Sequence, residues 1–400
     1  ARGGHAGGRG MIRAAAVALI IVLPALAQGQ THPDLSLDSG RYRARYPGLI
    51  VGATVLQDPR DQSFSASGAR QSGVVPSYGA GNEFPLTRFQ LGFDWQFPAF
   101  EAAKLPFVSS RLWQARAALG YAETSTKGPL RDRQAAAGDP PAKAGISDIE
   151  LAIGPFLVGS GDWRTRSATP FSAVLLAELR LPIGAHDPSA PNNAGDSVFA
   201  YGARLGVHWQ PSLALLNGFR LDAGVRGRWY GADQEPAFNA QAPTQAGRDL
   251  SFDATLARKL WRSVHAQVSY TWRDGAANEY RNVRATANPP DAPLLNDTFP
   301  DPAAVRDGGT REQRLQVGLG VFVTQRLWLG AAWSHPLSGR SGSATVPYLA
   351  QLQNCEALNA CNPRSNGSDG IDGLGSARTF ASDSFQLQLR WQPRSSQGGP

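Results

Sequence analysis

Hydrophobic and polar residues alternate along many segments of this chain. In residues 199–209, FAYGARLGVHW, every second position from Phe199 to Trp209 is apolar, and Arg204 and His208 lie among the positions between. A period of two places the two sets of side chains on opposite faces of a β-strand. A helix would distribute them around its axis, so the pattern predicts a strand with one apolar and one polar face.

The same alternation recurs in about twelve segments between residues 48 and 391. Most segments contain 9 to 13 residues, which is close to the length of a tilted transmembrane strand and exceeds the usual length of a soluble strand. The predicted strands cover residues 48–57, 86–97, 111–123, 146–157, 170–182, 198–209, 218–230, 250–258, 263–273, 313–323, 326–334 and 379–391.

The connections between these segments alternate in length. Every odd-numbered connection is longer than every even-numbered one. Long outer loops and short periplasmic turns are typical of outer-membrane barrels, whereas a soluble sandwich has no reason to sort its loops in this way. The sequence therefore predicts an all-β fold, a transmembrane antiparallel up-and-down β-barrel of about 12 strands, in the outer membrane of a Gram-negative bacterium.

Aromatic residues fall close to the ends of the predicted strands. With the first strand running outward, one group lies at the periplasmic rim and another at the outer rim, as in the two aromatic girdles of membrane barrels. The predicted girdle tryptophans are Trp95, Trp113, Trp209 and Trp391 on the periplasmic side, and Trp229, Trp272 and Trp333 on the outer side.

The segment before the barrel has the three parts of a secretory signal peptide. Residues 11–27 contain a basic residue, an apolar run and a final Ala25-Leu26-Ala27, and we expect cleavage after Ala27. The alternative is a buried helix or a membrane anchor. Residues 1–10 form a Gly/Arg-rich upstream extension, 28–47 a periplasmic N-terminal segment, 48–391 the barrel and 392–400 a C-terminal tail. The sequence leaves open whether residues 28–47 enter the lumen.

Composition and charge narrow the class of partners. The net charge is +7, but the arginines are spread over every segment of the chain and form no basic patch. Together with the export signal, this distribution argues against nucleic acid as a partner. The content of hydrophobic residues, 42%, is too low for a bundle of membrane helices.

The polar face of the predicted strands carries ten arginines and six carboxylates. This excess of positive charge predicts a pore that weakly favours anions. In the alternative interpretation, arginines and carboxylates on neighbouring strands pair with each other and stabilise the interior. The predicted lumen-lining residues are Arg88, Asp94, Arg116, Glu178, Arg180, Arg204, His208, Asp222, Arg226, Arg228, His265, Arg273, Arg314 and Arg390, and the polar face also includes Asp148, Glu150, Arg220 and Asp253.

No catalytic signature is present in the sequence. It contains no GxSxG, HExxH or CxxC motif, and we expect neither an enzyme nor a bound cofactor or metal. An outer-membrane phospholipase, also a barrel of this size, would need a serine and a histidine on the lipid-facing side. His208 and His265 both lie on the polar face, which argues against that activity.

Two further features lie in the last long connection. Cys355 and Cys361 are close together in a polar segment of an exported chain, so we predict a local disulfide. In residues 366–373, NGSDGIDG, Asn366, Asp369 and Asp372 offer oxygen ligands for calcium, but the spacing is not that of an EF-hand loop. A flexible turn is the alternative.

Two stretches resemble a known family. Residues 144–158, AGISDIELAIGPFLV, contain Gly145 and Asp148 in a G-x-x-D strand start, and residues 173–187 contain Leu181-Pro182-Ile183-Gly184, an L-P-x-G strand end. Both resemble the paired strands of the outer-membrane transporter family named for the meta-pathway of phenol degradation. The resemblance implies an outer-membrane channel for hydrophobic or aromatic compounds, and the arginine-rich lumen would suit aromatic acids.

These observations together predict a passive channel for small molecules. Its expected partners are outer-membrane lipid, a small-molecule solute and the barrel assembly machinery, while the oligomeric state stays open. The alternative is a non-conducting barrel that acts as an adhesin or a structural protein through its long outer loops.

Overall fold

A computed structural model gives the fold. It describes residues 41–44, 47–65, 67–73, 81–98, 112–138, 140–159, 170–187, 190, 192–195, 198–211, 216, 218–233, 244–245, 248–261, 263–275, 279–280, 305–306, 309–324, 326–341 and 379–392. The predicted signal peptide, the cysteine pair and the candidate calcium loop at 366–373 lie outside the described residues.

Twelve long strands dominate the described part of the chain. They are β1 (Gly48–Asp58), β2 (Leu86–Pro98), β3 (Leu112–Thr124), β4 (Ile149–Val158), β5 (Phe171–Leu181), β6 (Ala200–Trp209), β7 (Phe219–Tyr230), β8 (Arg248–Trp261), β9 (Val264–Gly275), β10 (Thr310–Phe322), β11 (Leu327–Arg340) and β12 (Ser384–Trp391).

Each strand pairs antiparallel with the next along the chain, and the sheet closes between β12 and β1, where Gln388 lies opposite Thr54. Closure leaves no unpaired sheet edge, which a strand in lipid could not tolerate. The molecule is a closed antiparallel barrel of twelve strands, as the sequence predicts.

Short elements lie in the connections between the barrel strands. Helix α1 (Pro129–Ala137) follows β3, and its Leu130 amide donates to the Asn82 side chain at 2.8 Å. Within the described residues, no helix is both long and apolar enough to cross a membrane. Two-residue and three-residue strands cover Gln62–Phe64, Arg70–Ser72, Gly145–Ile146, Ala232–Asp233, Thr244–Gln245, Glu279–Tyr280 and Val305–Arg306.

The alternation along each strand separates a lipid-facing surface from the interior. On β7, for example, Val225 is 47% exposed while Arg226 is 3% exposed. In a soluble protein the apolar side chains would be the buried set. Here they are the exposed set and the charged ones are buried, which is the arrangement of a barrel in lipid.

All the predicted girdle tryptophans lie on the outward face, and all but Trp333 lie near a strand end. Trp333 is in the middle of β11, because that strand continues to Arg340. Trp95, Trp209, Trp229, Trp333 and Trp391 are exposed, and Tyr201 stacks on Trp229 with a centroid distance of 6.0 Å. Trp113 and Trp272 are half-buried.

The connections are sorted by length as the sequence predicts. On one side of the barrel they span 59–85, 125–148, 182–199, 231–247, 276–309 and 341–383, and on the other 99–111, 159–170, 210–218, 262–263 and 323–326. Every connection in the first group is longer than every one in the second.

Several predicted strand ends were wrong. The fourth strand was predicted from residue 146, but Gly145–Ile146 forms a separate short strand against Tyr121 and Ala122, and Asp148 precedes β4. Strand β11 continues six residues beyond the predicted end at 334. Pro336 has no backbone N–H to donate to the neighbouring strand, and an irregularity in the pairing between Gln313 and Arg314 on β10 accommodates it. The last strand begins at Ser384 rather than at residue 379.

Candidate pore

The barrel interior holds the charged residues that the sequence assigns to it. All fourteen predicted lumen-lining residues occupy inward positions, between the exposed apolar residues of their strands. Asp148 precedes β4 and accepts two hydrogen bonds from Arg180, at 2.8 and 3.0 Å. The interior is therefore polar, but its charges are mostly buried in specific pairs.

A network of ion pairs joins β4 to β7. Arg204 lies 2.6 Å from Glu178, and Arg228 lies 2.8 Å from Glu150 and 3.4 Å from Glu178. Both arginines are 3% exposed. Since a charge in this position is stable only when paired, these contacts match the interpretation in which the arginines stabilise the interior.

Strands β7, β8 and β9 continue this network. Arg226 donates to Ser251 at 3.1 Å and lies 4.0 Å from Asp249, which also binds Arg273 at 2.9 Å. Asp249 was missed from the sequence because the predicted strand begins at residue 250, one position later.

Two further inward carboxylates were missed in the same way. Asp58 and Glu312 each lie one residue outside a predicted strand, and they are 1% and 8% exposed. Asp58 pairs with Arg60 at 3.1 Å, and Glu312 pairs with Arg314. Asp249 and Glu312 reduce the arginine excess that the sequence indicates, whereas Asp58 is balanced by Arg60, a buried arginine outside the predicted strands.

Residues 41–44 of the N-terminal segment lie in the lumen and fill part of it. Tyr42 has no exposed surface and packs against Leu112, Phe156, Val174 and Leu176. We call the described residues of this segment, 41–44, the plug. The sequence left open whether residues 28–47 enter the lumen, and the structure places residues 41–44 there.

Hydrogen bonds fix the plug at both its side chain and its backbone. The Tyr42 hydroxyl donates to Asp253 at 3.2 Å and accepts from Arg204 at 3.1 Å. Ser172 Oγ donates to the Tyr42 carbonyl at 2.8 Å and accepts from the Ala44 amide at 3.1 Å. The plug thus contributes contacts to the same network that joins the strands.

Arginines surround the tyrosine ring of the plug. The guanidinium groups of Arg41 and Arg116 each lie 5.3 Å from the ring centroid, within the range of a cation–π contact. Burial lowers the pKa of Arg41 to about 10, so this guanidinium still carries its charge at neutral pH.

Two glycines make room for the plug. Gly206 on β6 and Gly224 on β7 lie directly opposite each other. A β-carbon at Gly206 would lie 2.1 Å from the Tyr42 ring, and one at Gly224 would lie 2.4 Å from its hydroxyl. In the sequence, these two glycines at inward positions of neighbouring predicted strands were the one feature that could have indicated a segment packed against β6 and β7.

Ser172, His208 and Asp222 are direct neighbours on three adjacent strands. His208 Nδ1 lies 2.9 Å from Asp222 Oδ1, and His208 Nε2 is buried with no hydrogen-bond partner among the described residues. The Ser172 hydroxyl is engaged with the plug backbone and not with His208. The described contacts therefore assign Ser172 to holding the plug.

The opposite wall, formed by β9 to β12 with β1 and β2, is neutral at mid-depth. Its polar atoms include several that are buried without a hydrogen-bond partner among the described residues, namely Gln267 Nε2, Thr271 Oγ1, Gln316 Oε1 and Gln388 Oε1. Buried polar atoms in native proteins nearly always bind protein or water. This wall is thus suited to contact water or a polar solute.

Space remains beside this wall. At Gly92, in the middle of β2, a β-carbon would have no atom within 4 Å, and at the facing Gly52 its nearest contact would be an ordinary 3.7 Å. Among the described residues, the lumen at mid-depth is thus filled at Gly206 and Gly224 and open at Gly92. The plug reaches β2 only toward its periplasmic end, where Gln96 Nε2 donates to the Arg43 carbonyl at 2.9 Å.

The outer end of the barrel is covered where β1, β10 and β12 meet. Arg60 is 2% exposed, and its guanidinium lies 4.5 Å from the centre of the Phe380 ring. Arg314 donates to the Phe380 carbonyl at 3.1 Å.

Among the described residues, no group of three or more His, Cys, Asp or Glu side chains could hold a metal ion.

Residues 108–288 match the model of a family described as "Putative MetA-pathway of phenol degradation". The family resemblance is confirmed. The matched region includes the stretches 144–158 and 173–187, which carry the resemblance in the sequence. No curated protein matches the chain in sequence.

A solved outer-membrane channel shares the fold, and two further outer-membrane proteins show weaker similarity. The outer membrane channel from Pseudomonas putida F1 is similar at a TM-score of 0.55 and 11% identity, covering 90% of this chain and 100% of that chain. The transport unit of the autotransporter AIDA-I from Escherichia coli has a TM-score of 0.41 at 10% identity, covering 91% and 94% of the two chains. The NanC porin has a TM-score of 0.35 at 8% identity, covering 86% and 100%. With its apolar exterior and closed sheet, the protein is an outer-membrane β-barrel.

Proposed function

We propose that the protein is a passive channel through which small molecules cross the outer membrane. The observation that carries this proposal is the asymmetry of the lumen. Among the described residues, the plug packs against Gly206 and Gly224, whereas no atom lies against a β-carbon at Gly92 and the neutral wall keeps unpartnered polar atoms. A barrel that served only as a scaffold would gain stability by filling that space.

The proposed solutes are hydrophobic or aromatic compounds, including aromatic acids. Support comes from the family description, which refers to phenol degradation, and from the arginines on the inward face. We propose transport without catalysis, with outer-membrane lipid and the barrel assembly machinery as the other partners.

The plug also favours a second candidate, a non-conducting barrel that acts through its long outer loops. Tyr42 is fully buried within the lumen, as expected if no solute passes. Single-channel recording in planar bilayers separates the two functions, because a channel gives discrete current steps and a closed barrel gives none.

Two variants locate the path. Gly92→Trp places an indole in the open space, and we expect it to abolish most of the current. Ala53→Trp is the matched control, because Ala53 lies at the same depth on β1 but alternates with the inward positions and faces lipid. Heat-modifiable gel migration verifies that both variants fold. Absence of current in the unaltered protein, or equal current in both variants, would contradict the proposed path.

A further inference from the structure

Arg88 is an inward-facing arginine in the outer half of β2. Its Nε and Nη2 atoms are buried and have no hydrogen-bond partner among the described residues. An unpaired guanidinium in the interior is costly, because burial removes the water that would stabilise its charge. The side chain therefore has donors available for a partner that comes from the lumen.

The charged neighbours of Arg88 are already engaged with other groups. Those that act on it most strongly are Arg60, Glu150 and Arg180. Arg60 and Arg180 are themselves cations, and Glu150 forms an ion pair with Arg228. The corresponding ion pairs are Arg60–Asp58 at 3.1 Å, Arg180–Asp148 at 2.8 Å and Arg228–Glu150 at 2.8 Å.

Apolar side chains flank Arg88 on the inner surface. Its direct cross-strand partners are Leu56 on β1 and Ala122 on β3. Ala122 belongs to a buried apolar cluster with Leu86, the next inward residue toward the outer end of β2. Because Leu56, Leu86 and Ala122 are 8%, 2% and 0% exposed, they form closed apolar surroundings for Arg88 and not a surface that a ligand could cover.

The open side of the lumen begins next to this arginine. The following inward positions of β2 are Gln90 and Gly92, and at Gly92 no atom lies within 4 Å of a β-carbon. A molecule held at Arg88 can thus extend along β2 toward the middle of the barrel without meeting the plug.

We infer that Arg88 binds the carboxylate of a small aromatic acid, with the ring of the acid extending along β2 toward Gly92. A guanidinium and a carboxylate form short, charge-assisted hydrogen bonds, often two in parallel. The space along β2 at Gly92 gives room for a ring and favours an aromatic acid over a simple inorganic anion. This inference rests on the proposed function in that it names the solute class of the same lumen.

Isothermal titration of benzoate into the folded, detergent-solubilised barrel tests the site. We expect saturable binding that weakens at least about tenfold in Arg88→Gln, since a hydrogen bond to a charged group is lost. Arg311→Gln is the control, because it also removes one positive charge near the outer end of a strand, but the Arg311 side chain is 51% exposed on the outward face of β10. It should bind benzoate as the unaltered protein does.

Leu56→Glu provides a second variant that keeps the arginine. It places a carboxylate directly across from Arg88, and this internal counter-ion should displace benzoate. Benzyl alcohol, the neutral analogue, should bind weakly and equally to all variants.

Absence of benzoate binding in the unaltered protein, or equal binding in Arg88→Gln, would overturn the inference. Benzoate binding without current would leave the site standing and refute the channel. Current through the unaltered protein, together with equal benzoate binding in Arg88→Gln, would leave the channel standing and refute the site.

Discussion

Tyr42 lies flat against Gly206 inside the barrel, so closely that a β-carbon at position 206 would come within 2.1 Å of its ring. Substitution of Gly206 by alanine, which adds only one methyl group, therefore tests whether the plug needs this space. The contact also links the N-terminal segment to a strand more than 150 residues further along the chain.

Gly206→Ala should displace the plug. The added methyl group and the Tyr42 ring cannot both keep their positions, and overpacking of this kind costs about 1 to 3 kcal/mol. We expect a lower unfolding midpoint in urea and a larger single-channel current. Gly92→Ala is the control, since its β-carbon meets nothing within 4 Å. Unchanged current and stability in Gly206→Ala would show that the plug does not restrict the lumen.

Alternation and connection length were sufficient to predict the barrel. Both depend on local sequence, because a period of two is set by backbone geometry and loop length needs no knowledge of packing. The ends of the strands were less well predicted. Asp58, Asp249 and Glu312 each lie one residue outside a predicted strand. In each case the charged residue was assigned to the adjoining loop.

The plug could not be predicted, because it depends on contacts between distant parts of the chain. Tyr42 contacts Asp253 and Arg204, and no local pattern near residue 42 indicates either partner. The pairing of Gly206 with Gly224 signals available space but does not say what fills it.

The ion pair between Arg204 and Glu178 should be essential for folding. Both side chains are buried, at 4% and 9% exposure, and removal of one member of a buried pair typically costs about 3 to 5 kcal/mol. We expect Arg204→Met to unfold at markedly lower urea concentration. The double variant Arg204→Met with Glu178→Gln should recover part of the loss, because Glu178 then loses its charge together with its nearest cation, while Arg228 keeps its ion pair with Glu150. A double variant that is less stable than the sum of the two single variants would contradict this account.

Trp328 should be held in place by the glycines beneath it. It is an inward tryptophan, 8% exposed, and a β-carbon at Gly330 or at Gly320 would lie 2.2 Å from its ring. Gly330→Ala should therefore lower the stability of the barrel by about 1 to 3 kcal/mol. In a Trp328→Ala background the same substitution should cost much less, which a double-mutant cycle in urea unfolding would measure. An equal cost in both backgrounds would mean that the indole is not the obstacle.

Leu387 and Gln388 are consecutive residues on opposite faces of β12, and they offer a test of which side meets lipid. Leu387 is 61% exposed, whereas Gln388 faces the lumen and has a buried Oε1 without a hydrogen-bond partner among the described residues. An arginine on the lipid face near the middle of the membrane costs about 2 to 4 kcal/mol, while a charge on the lumen face stays hydrated. We expect Leu387→Arg to fold poorly into lipid vesicles, as measured by heat-modifiable migration over a urea series. Gln388→Arg should fold nearly as well as the unaltered protein and should move the reversal potential in a salt gradient toward anion selectivity. If the two variants lost the same stability, the apolar face would not be the one that meets lipid.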